Sequence, residues 1–522
     1  MEKYSRLFLI LSPIIVVFFS VWQGAYDIDP HHWGLMLSNA KDLYEGQAPY
    51  KDIFIQYGIL TTILQALAFG IGKNMLSIIV ITSICYAIGI LLVYASALHI
   101  FKSKTIALYV LITLVLFHPL AMYPWSNYIA FPFLMCGIYV LATQSWQSQF
   151  KKITLLKLFL AGLAFGLAIL AREGLALAVV LLILLSFSYD LIQGREYKKT
   201  ILSLLITALG LSLPIGIFFS YLASNHLLDY WVNLSIDLPA IYANTTFSYI
   251  KSFPFQALFK EIYTGYRHGD VRWILTSLIL LSSLWVFILA LLGKRKDYVT
   301  PGVAKIALAS LLLVSSSLHL AETFRIATGS SVGIIVLFAF LQSTGKLKTF
   351  FIFFTLWMGL TATYGNRGNY FYPTWYTVIN AQAISTPEVL RGQRWSPQMA
   401  QYYQTIVRTL TELQQKPCEI NYQINNTRNS LFKVISPIPQ LQIAPFGAGI
   451  NIAALRADID SGSAISKGVR FVILDSASQG EYANRIPPEG FVLYKHLSVP
   501  EEEYFMPHIQ ELLIYAPKVC AN

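Results

Sequence analysis

Carboxylates, imidazoles and guanidiniums gather at a few points of an otherwise apolar chain. The first group is Asp27-Ile28-Asp29. Two carboxylates two residues apart can share a divalent cation, or one can accept a proton while the other tunes its pKa. Asp29 also precedes Pro30, so the same residues suit a solvated turn. His31 and His32 follow, and either can ligate a metal or donate to a phosphate. Adjacent side chains diverge, so one functional histidine is expected. Further on, Tyr50-Lys51-Asp52 and Gln56-Tyr57-Gly58 make a second polar patch. Asp52 and Tyr57 are its candidate ligand contacts, and Asp52 is equally a partner for Lys51. Such crowding stands out in a chain with only 12% charged residues.

Two later groups carry cations. Arg172-Glu173 lies between the apolar runs LAGLAFGLAILA and GLALAVVLLILL. A charge at the centre of a bilayer costs about 2.5–3.5 kcal/mol on insertion scales, so the pair marks a hairpin turn or lines a polar cavity. An arginine there can reach a phosphate, and the pair can equally tie two helices together. His319, Glu322 and Arg325 are spaced i, i+3 and i+6, on one face if the segment is helical. His and Arg together suit a phosphate or pyrophosphate, whereas Glu322 and Arg325 alone would be an ordinary i, i+3 pair. No GxxxxGK[ST], HExxH, GxSxG or CxxC pattern occurs. Nucleotide-driven transport therefore has no visible engine.

The elements that position these groups are membrane spans. The chain has 522 residues, 55% of them hydrophobic, and a mean hydropathy of +0.55. A water-soluble fold cannot hide that much apolar surface. A span needs about 17–25 apolar residues for a hydrocarbon core about 30 Å thick. Such runs occur near 7–23, 76–100, 105–121, 125–143, 156–172, 174–192, 200–221, 273–292, 303–319, 329–344 and 348–364. The shorter run 59–72, bounded by Gly70, Gly72 and Lys73, is expected partly in the interface.

The net charge of +11 sits in clusters between these runs: Lys3/Arg6, Lys102/Lys104, Lys151/Lys152/Lys157, Arg195/Lys198/Lys199, Lys294/Arg295/Lys296 and Lys346/Lys348. With about eleven spans, every cluster falls on the cytoplasmic side in strict alternation. The charge thus reports topology, and no nucleic-acid groove is implied. The N-terminus is expected in the cytoplasm as a retained anchor, and the C-terminus outside. The acidic loop 24–58, the Arg172-Glu173 corner, the loop 222–271 and His319 to Ala327 then share the outer face.

After residue 365 the composition turns polar. A helical stretch at 396–415 precedes three strand-like runs, VRFVILD (469–475), GFVLYKH (490–496) and ELLIYAP (511–517). The expected division is a transmembrane domain over 1–365 and a small extracytoplasmic α/β or α+β domain over 366–522. Of four cysteines, Cys85 and Cys136 fall in apolar spans, while Cys418 and Cys520 bracket the polar region and can pair if it meets an oxidising compartment. Aromatics crowd the outer loops, including Tyr230, Trp231 and Tyr242. They anchor at the interface or stack on sugar rings.

An acidic motif directly after the first span, a "YxDxFxQYG" stretch (Tyr50–Gly58), a "GLAxLAREG" corner (Gly166–Gly174) and a C-terminal extracytoplasmic domain together resemble the GT-C superfamily. This family comprises integral-membrane glycosyltransferases that use polyprenyl-phosphate sugars, such as protein O-mannosyltransferases and aminoarabinose transferases. The DPHHWG continuation is similar to that of a bacterial group of relatives. The resemblance implies an all-α polytopic fold and transfer of a sugar from a polyprenyl-phosphate-linked donor to a lipid, glycan or protein acceptor, at the plasma membrane. It makes Asp27 or Asp29 the catalytic base, or a metal ligand in metal-dependent branches. Arg172 and Arg325 become candidates for the donor phosphate, with His319 beside them. No cofactor is fixed; a divalent cation, Mg or Mn, is the one candidate. The expected partners are the lipid-linked donor, membrane lipid and an unidentified acceptor. A flippase of lipid-linked saccharides and a polysaccharide polymerase or ligase are the alternatives.

Overall fold

The computed structural model describes residues 2–26, 32–55, 57–116, 124–144, 152–237, 271–294, 297–315, 329–364, 375–415, 421–425, 431, 434–435, 442–443, 469–475, 491–500 and 511–518. The chain divides into two compact units. One comprises Met1–Ser20, Ile55–Thr62 and Ile81–Asn369, the other Val21–Phe54, Ile63–Val80 and Tyr370–Asn522.

Helices dominate the first unit because its long apolar runs must satisfy every backbone N–H and C=O internally to cross lipid. Among the described residues, seven helices are long and apolar enough to cross a membrane: Leu7–Tyr26, Met75–Phe101, Ser126–Thr143, Lys152–Ala171, Glu173–Ile192, Tyr197–Ser224 and Ile274–Leu291. Five shorter apolar helices accompany them, at Ile59–Gly72, Lys104–Leu116, Pro301–Val314, Ser331–Ser343 and Leu347–Trp357. Each of the eleven expected spans coincides with one of these twelve. The twelfth is the 14-residue run 59–72 that the sequence set apart. The protein is a multi-pass, largely helical membrane protein.

The helices used below are α1 (Glu2–Tyr26), α2 (His32–Tyr44), α3 (Ile59–Gly72), α4 (Met75–Phe101), α5 (Lys104–Leu116), α6 (Ser126–Thr143), α7 (Lys152–Ala171), α8 (Ala176–Ile192), α9 (Tyr197–Ser224), α10 (Leu228–Val232), α11 (Val271–Leu291), α12 (Pro301–Ser315), α13 (Ile334–Ser343), α14 (Leu347–Tyr364), α15 (Trp375–Asn380) and α16 (Pro397–Gln414). On α1, Leu7, Ile10, Ile14 and Phe18 recur every three or four residues and are all exposed. In water that stripe would be a liability, but against acyl chains it is the expected outer surface.

Packing inside the bundle relies on small residues. A Cβ on Gly162 of α7 would strike the carbonyl oxygen of Thr207 on α9, and one on Gly210 would strike that of Phe159. The two backbones therefore touch, the close approach that small residues permit between membrane helices. An ion cluster pins another contact. Asp190 of α8 is fully buried and lies 2.7 Å from Lys305 Nζ of α12 and 3.1 Å from Arg195. Lys305 also donates to the Leu141 carbonyl of α6 at 3.3 Å.

In the second unit, α2 buries Trp33, Met36, Leu37 and Ala40. Gly34 sits so close to Leu431 that a Cβ would lie 2.6 Å from its amide nitrogen. Strands β1 (Gln382–Ala383) and β2 (Arg394–Trp395) form a short antiparallel pair. Helix α16 buries Tyr403, Ile406 and Leu410, spaced as one face of a helix requires. A five-stranded mixed sheet follows, β3 (Asn421–Asn425), β4 (Gln442–Ile443), β5 (Val469–Asp475), β6 (Phe491–Ser498) and β7 (Glu511–Pro517), in the order β4-β3-β5-β7-β6. Strand β3 runs parallel to β4 and β5, while β7 is antiparallel to β5 and β6, with Ile473 opposite Ile514. The three strands expected from sequence are β5, β6 and β7, and the helix at 396–415 is α16. Cys418 and Cys520 lie outside the described residues.

Candidate active site

The corner between α7 and α8 is the centre of the site. Helix α7 ends where Arg172 leaves helical geometry (φ −150°, ψ 98°), and one 3-10 turn, Glu173–Leu175, starts the return. Arg172 keeps its amide on the Ala168 carbonyl at 2.9 Å while its own carbonyl receives the Leu175 N–H at 3.0 Å. Both backbone groups of Arg172 thus stay paired through the reversal. The Arg172 side chain is 7% exposed and donates to Ser126 Oγ at 3.5 Å. Glu173 Oε1 accepts from the indole of Trp231 at 3.3 Å, and that indole packs edge-on against Phe219, 4.9 Å between centroids.

Residues 57–61 dock on the same corner. Gly58 adopts φ +102°, and a Cβ there would lie 2.6 Å from the Leu170 carbonyl oxygen and 2.7 Å from that of Ala171. Only glycine suits both the dihedral and the space. Thr61 Oγ1 then donates to the Ala171 carbonyl at 2.7 Å, one of the acceptors freed at the end of α7. Tyr57, one residue earlier, packs edge-to-face on Trp125 at 4.9 Å. Segments 57–61, 125–127, 170–173 and Trp231, far apart in sequence, thus converge.

Arg172 and the start of α6 could together receive an anion. Trp125 is the N-cap of α6, and its side chain makes no capping hydrogen bond among the described residues. A helix start presents N–H groups and positive potential to an anion. The guanidinium of Arg172 reaches the first residue of that helix. Next to it, Asn127 is 7% exposed, and its Oδ1 has no hydrogen-bond partner among the described residues. Ser126 and Asn127 were not singled out by sequence, and Trp231 was read only as one of the outer-loop aromatics. Nothing in a Ser-Asn pair at a span start distinguishes a ligand from a cap, and their meaning comes only from Arg172, 46 positions away.

The remaining candidates are placed as follows. Asp27, Asp29, His31, His319, Glu322 and Arg325 lie outside the described residues, and His32 opens α2. Asp52 is exposed; it closes its own turn by accepting the Ala48 N–H at 3.0 Å, while its amide donates to the Ala48 carbonyl at 2.9 Å. The flanks of the acidic segment are fixed within the second unit. On one side, Arg394 donates to the Tyr26 hydroxyl at 3.3 Å, and Trp22 packs on Tyr26 at 5.6 Å. On the other, Asn39 Nδ2 donates to the Phe54 carbonyl at 2.8 Å, and buried Asp42 accepts from Ser38 at 3.4 Å. Among the described residues, no three His, Cys, Asp or Glu side chains gather as metal ligands.

The sequence matches no protein-family model and no curated protein. Solved structures do match. The archaeal oligosaccharyltransferase AglB from Archaeoglobus fulgidus, in complex with an inhibitory peptide and a dolichol-phosphate, superposes with a TM-score of 0.53 at 12% identity, over 91% of this chain and 69% of that one. The same organism's enzyme with Zn and sulfate gives 0.52 at 13% identity, over 92% and 70%. ArnT from Cupriavidus metallidurans bound to undecaprenyl phosphate aligns over 100% of both chains at 10% identity, with a TM-score of 0.47. The chain therefore shares the fold of the archaeal oligosaccharyltransferase.

Proposed function

We propose that this chain is a membrane glycosyltransferase that moves a sugar from a polyprenyl-phosphate-linked donor to an acceptor on the extracytoplasmic face. The observation that carries the reading is the buried Arg172 guanidinium at the start of α6, where it donates to Ser126. A buried cation at a helix start is a receptor for an anionic head, and a lipid phosphate is the anion available within a membrane bundle. The dolichol-phosphate bound to the archaeal enzyme of the same fold supports the donor class.

In this reading Asp27 or Asp29 takes the proton of an acceptor hydroxyl as its oxygen bonds to the anomeric carbon. The bond from that carbon to the lipid phosphate oxygen breaks, and the phosphate leaves with the electron pair. Arg172 and Arg325 stabilise the charge left on the phosphate, with His319 as a further donor. His31 or His32, Asp52, Tyr57, Glu173 and Glu322 contact sugar, acceptor or one another. A divalent cation, Mg or Mn, held by Asp27 and Asp29 is the one candidate cofactor; it would neutralise charge at that end of the site. Residues 1–365 form the transmembrane domain and 366–522 an extracytoplasmic one, with the N-terminus in the cytoplasm.

The test is incubation of the purified protein with a panel of radiolabelled polyprenyl-phosphate sugars and envelope lipid, glycan or peptide acceptors. Transfer lost in Asp27→Ala or Asp29→Ala at normal protein levels is the expected result. Wild-type turnover in both variants removes the proposed base. Thiol-accessibility labelling that puts residues 27–52 in the cytosol removes the proposed face.

A further inference from the structure

Asn127 follows Ser126, the residue that receives the Arg172 guanidinium, in the first turn of α6. An asparagine inside a helix costs some propensity relative to alanine. It serves as a cap at the N-cap position, and here Trp125 holds that position. The Asn127 side chain is buried. Among the described residues its Oδ1 is sealed from solvent and has no donor to accept from. A buried acceptor left unmet is costly, and it is uncommon enough in native proteins to call for an explanation.

The face on which it lies is turned into the bundle. Asn127, Leu134, Ile138 and Leu141 recur at spacings that share one side of a helix, and all four are buried. At the far end of α6 that side meets α12. There Lys305 donates to the Leu141 carbonyl at 3.3 Å, and a Cβ on Gly302 would lie 2.6 Å from the Ala142 carbonyl oxygen. Side chains on a helix tilt toward its N-terminus. In the first turn Ser126 and Asn127 therefore both lean toward the end at which Arg172 stands. The amide is interior, and it is at the same helix end as the guanidinium.

A phosphate held by Arg172 cannot satisfy this oxygen, because both are acceptors. The polyprenyl chain is hydrocarbon and brings no donor. The sugar joined to that phosphate does, since each of its hydroxyls can donate as well as accept. We infer that Asn127 Oδ1 accepts a hydrogen bond from a hydroxyl of the donor's sugar, which makes Asn127 a specificity-determining residue of the proposed transfer. A site that hydrogen-bonds a substrate hydroxyl rejects analogues lacking it far better than an apolar pocket rejects one methylene. The inference rests on the reading of Arg172 as the phosphate-binding group, and it adds which part of the donor the neighbouring helix turn reads.

The experiment is native mass spectrometry of the purified full chain, without acceptor, titrated with undecaprenyl phosphate and with its mannosyl and glucosyl esters. Wild type and Asn127→Ala should bind the bare lipid equally. The tighter-bound of the two sugar-bearing lipids should bind Asn127→Ala about five-fold more weakly than wild type, the weight of one neutral hydrogen bond. Asn127→Ala suits the helix better and breaks no side-chain hydrogen bond seen among the described residues, so its stability in SDS unfolding should match wild type. A structural role for the amide would show instead as lost stability with all three lipids bound more weakly. That pattern, or a sugar-bearing lipid bound by Asn127→Ala as tightly as by wild type, overturns the inference. Bare undecaprenyl phosphate bound as tightly by Arg172→Ala as by wild type overturns the phosphate reading beneath it, a failure told apart because it involves no sugar.

Discussion

Replacing Lys305 by Met, or Asp190 by Leu, should destabilise the bundle far more than making both changes at once. Asp190 is completely buried and Lys305 is 4% exposed, so each charge exists there only because of the other. Lys305→Met leaves Asp190 with Arg195 at 3.1 Å. That variant should therefore cost about 3 kcal/mol, the low end for breaking a buried pair. Asp190→Leu strips both cations of their carboxylate. Arg195, 17% exposed, can turn toward water; Lys305, 4% exposed, keeps the Leu141 carbonyl but loses its carboxylate. The cost should approach 5 kcal/mol. In the double variant only Arg195, which can reach water, is left without its carboxylate, and the loss should fall below about 2 kcal/mol, since apolar replacements of buried pairs are often near neutral. The assay is reversible unfolding in mixed micelles of rising SDS fraction, followed by tryptophan fluorescence for wild type, both singles and the double. Single losses under about 1 kcal/mol, or a double loss equal to the sum of the singles, would refute the reasoning.

Three further outcomes follow from the corner. Gly58→Ala places a methyl against two carbonyl oxygens in an unfavourable dihedral; overpacking alone should cost about 1–3 kcal/mol in the same unfolding assay, and transfer should fall with it. Trp231→Phe keeps the contact with Phe219 and deletes the N–H to Glu173, so a loss of about 0.5–1.5 kcal/mol is expected. Arg172→Ala should abolish saturation by the lipid donor while Ser126→Ala, which removes a contact already at 3.5 Å, costs under about 1 kcal/mol; donor titrations against transfer rate separate the two.

The span pattern was legible because run length is a local property: any 20 apolar residues announce themselves. The α7–α8 corner was legible for the same reason, as Arg172-Glu173 interrupts such a run. The partners of that corner were not. Thr61 and Ala171 are 110 positions apart, and nothing in the text of either says that a threonine hydroxyl will cap the end of α7. Gly58 reads as an ordinary turn glycine, although what requires glycine there is the carbonyl pair pressed against it. Asp190 and Lys305 each look like the polar edge of a span, and only the fold shows that they meet. In the second unit β5, β6 and β7 carry Val, Ile and Leu runs and were visible. Strand β3, reading NYQIN, has the composition of a loop, and its pairing to β5 is non-local.

The buried ion cluster also limits how the bundle can move. It joins the C-terminal ends of α6 and α8 to the first turns of α12, while Ser126 and Arg172 stand at the opposite ends of the first two. Sliding any of these helices along its axis would unseat a charge from its counterion inside the protein. Splaying the far ends apart leaves that anchor intact. Admission of a bulky lipid between them would then be a fan-like opening about a fixed pivot, with the largest displacement at the arginine corner.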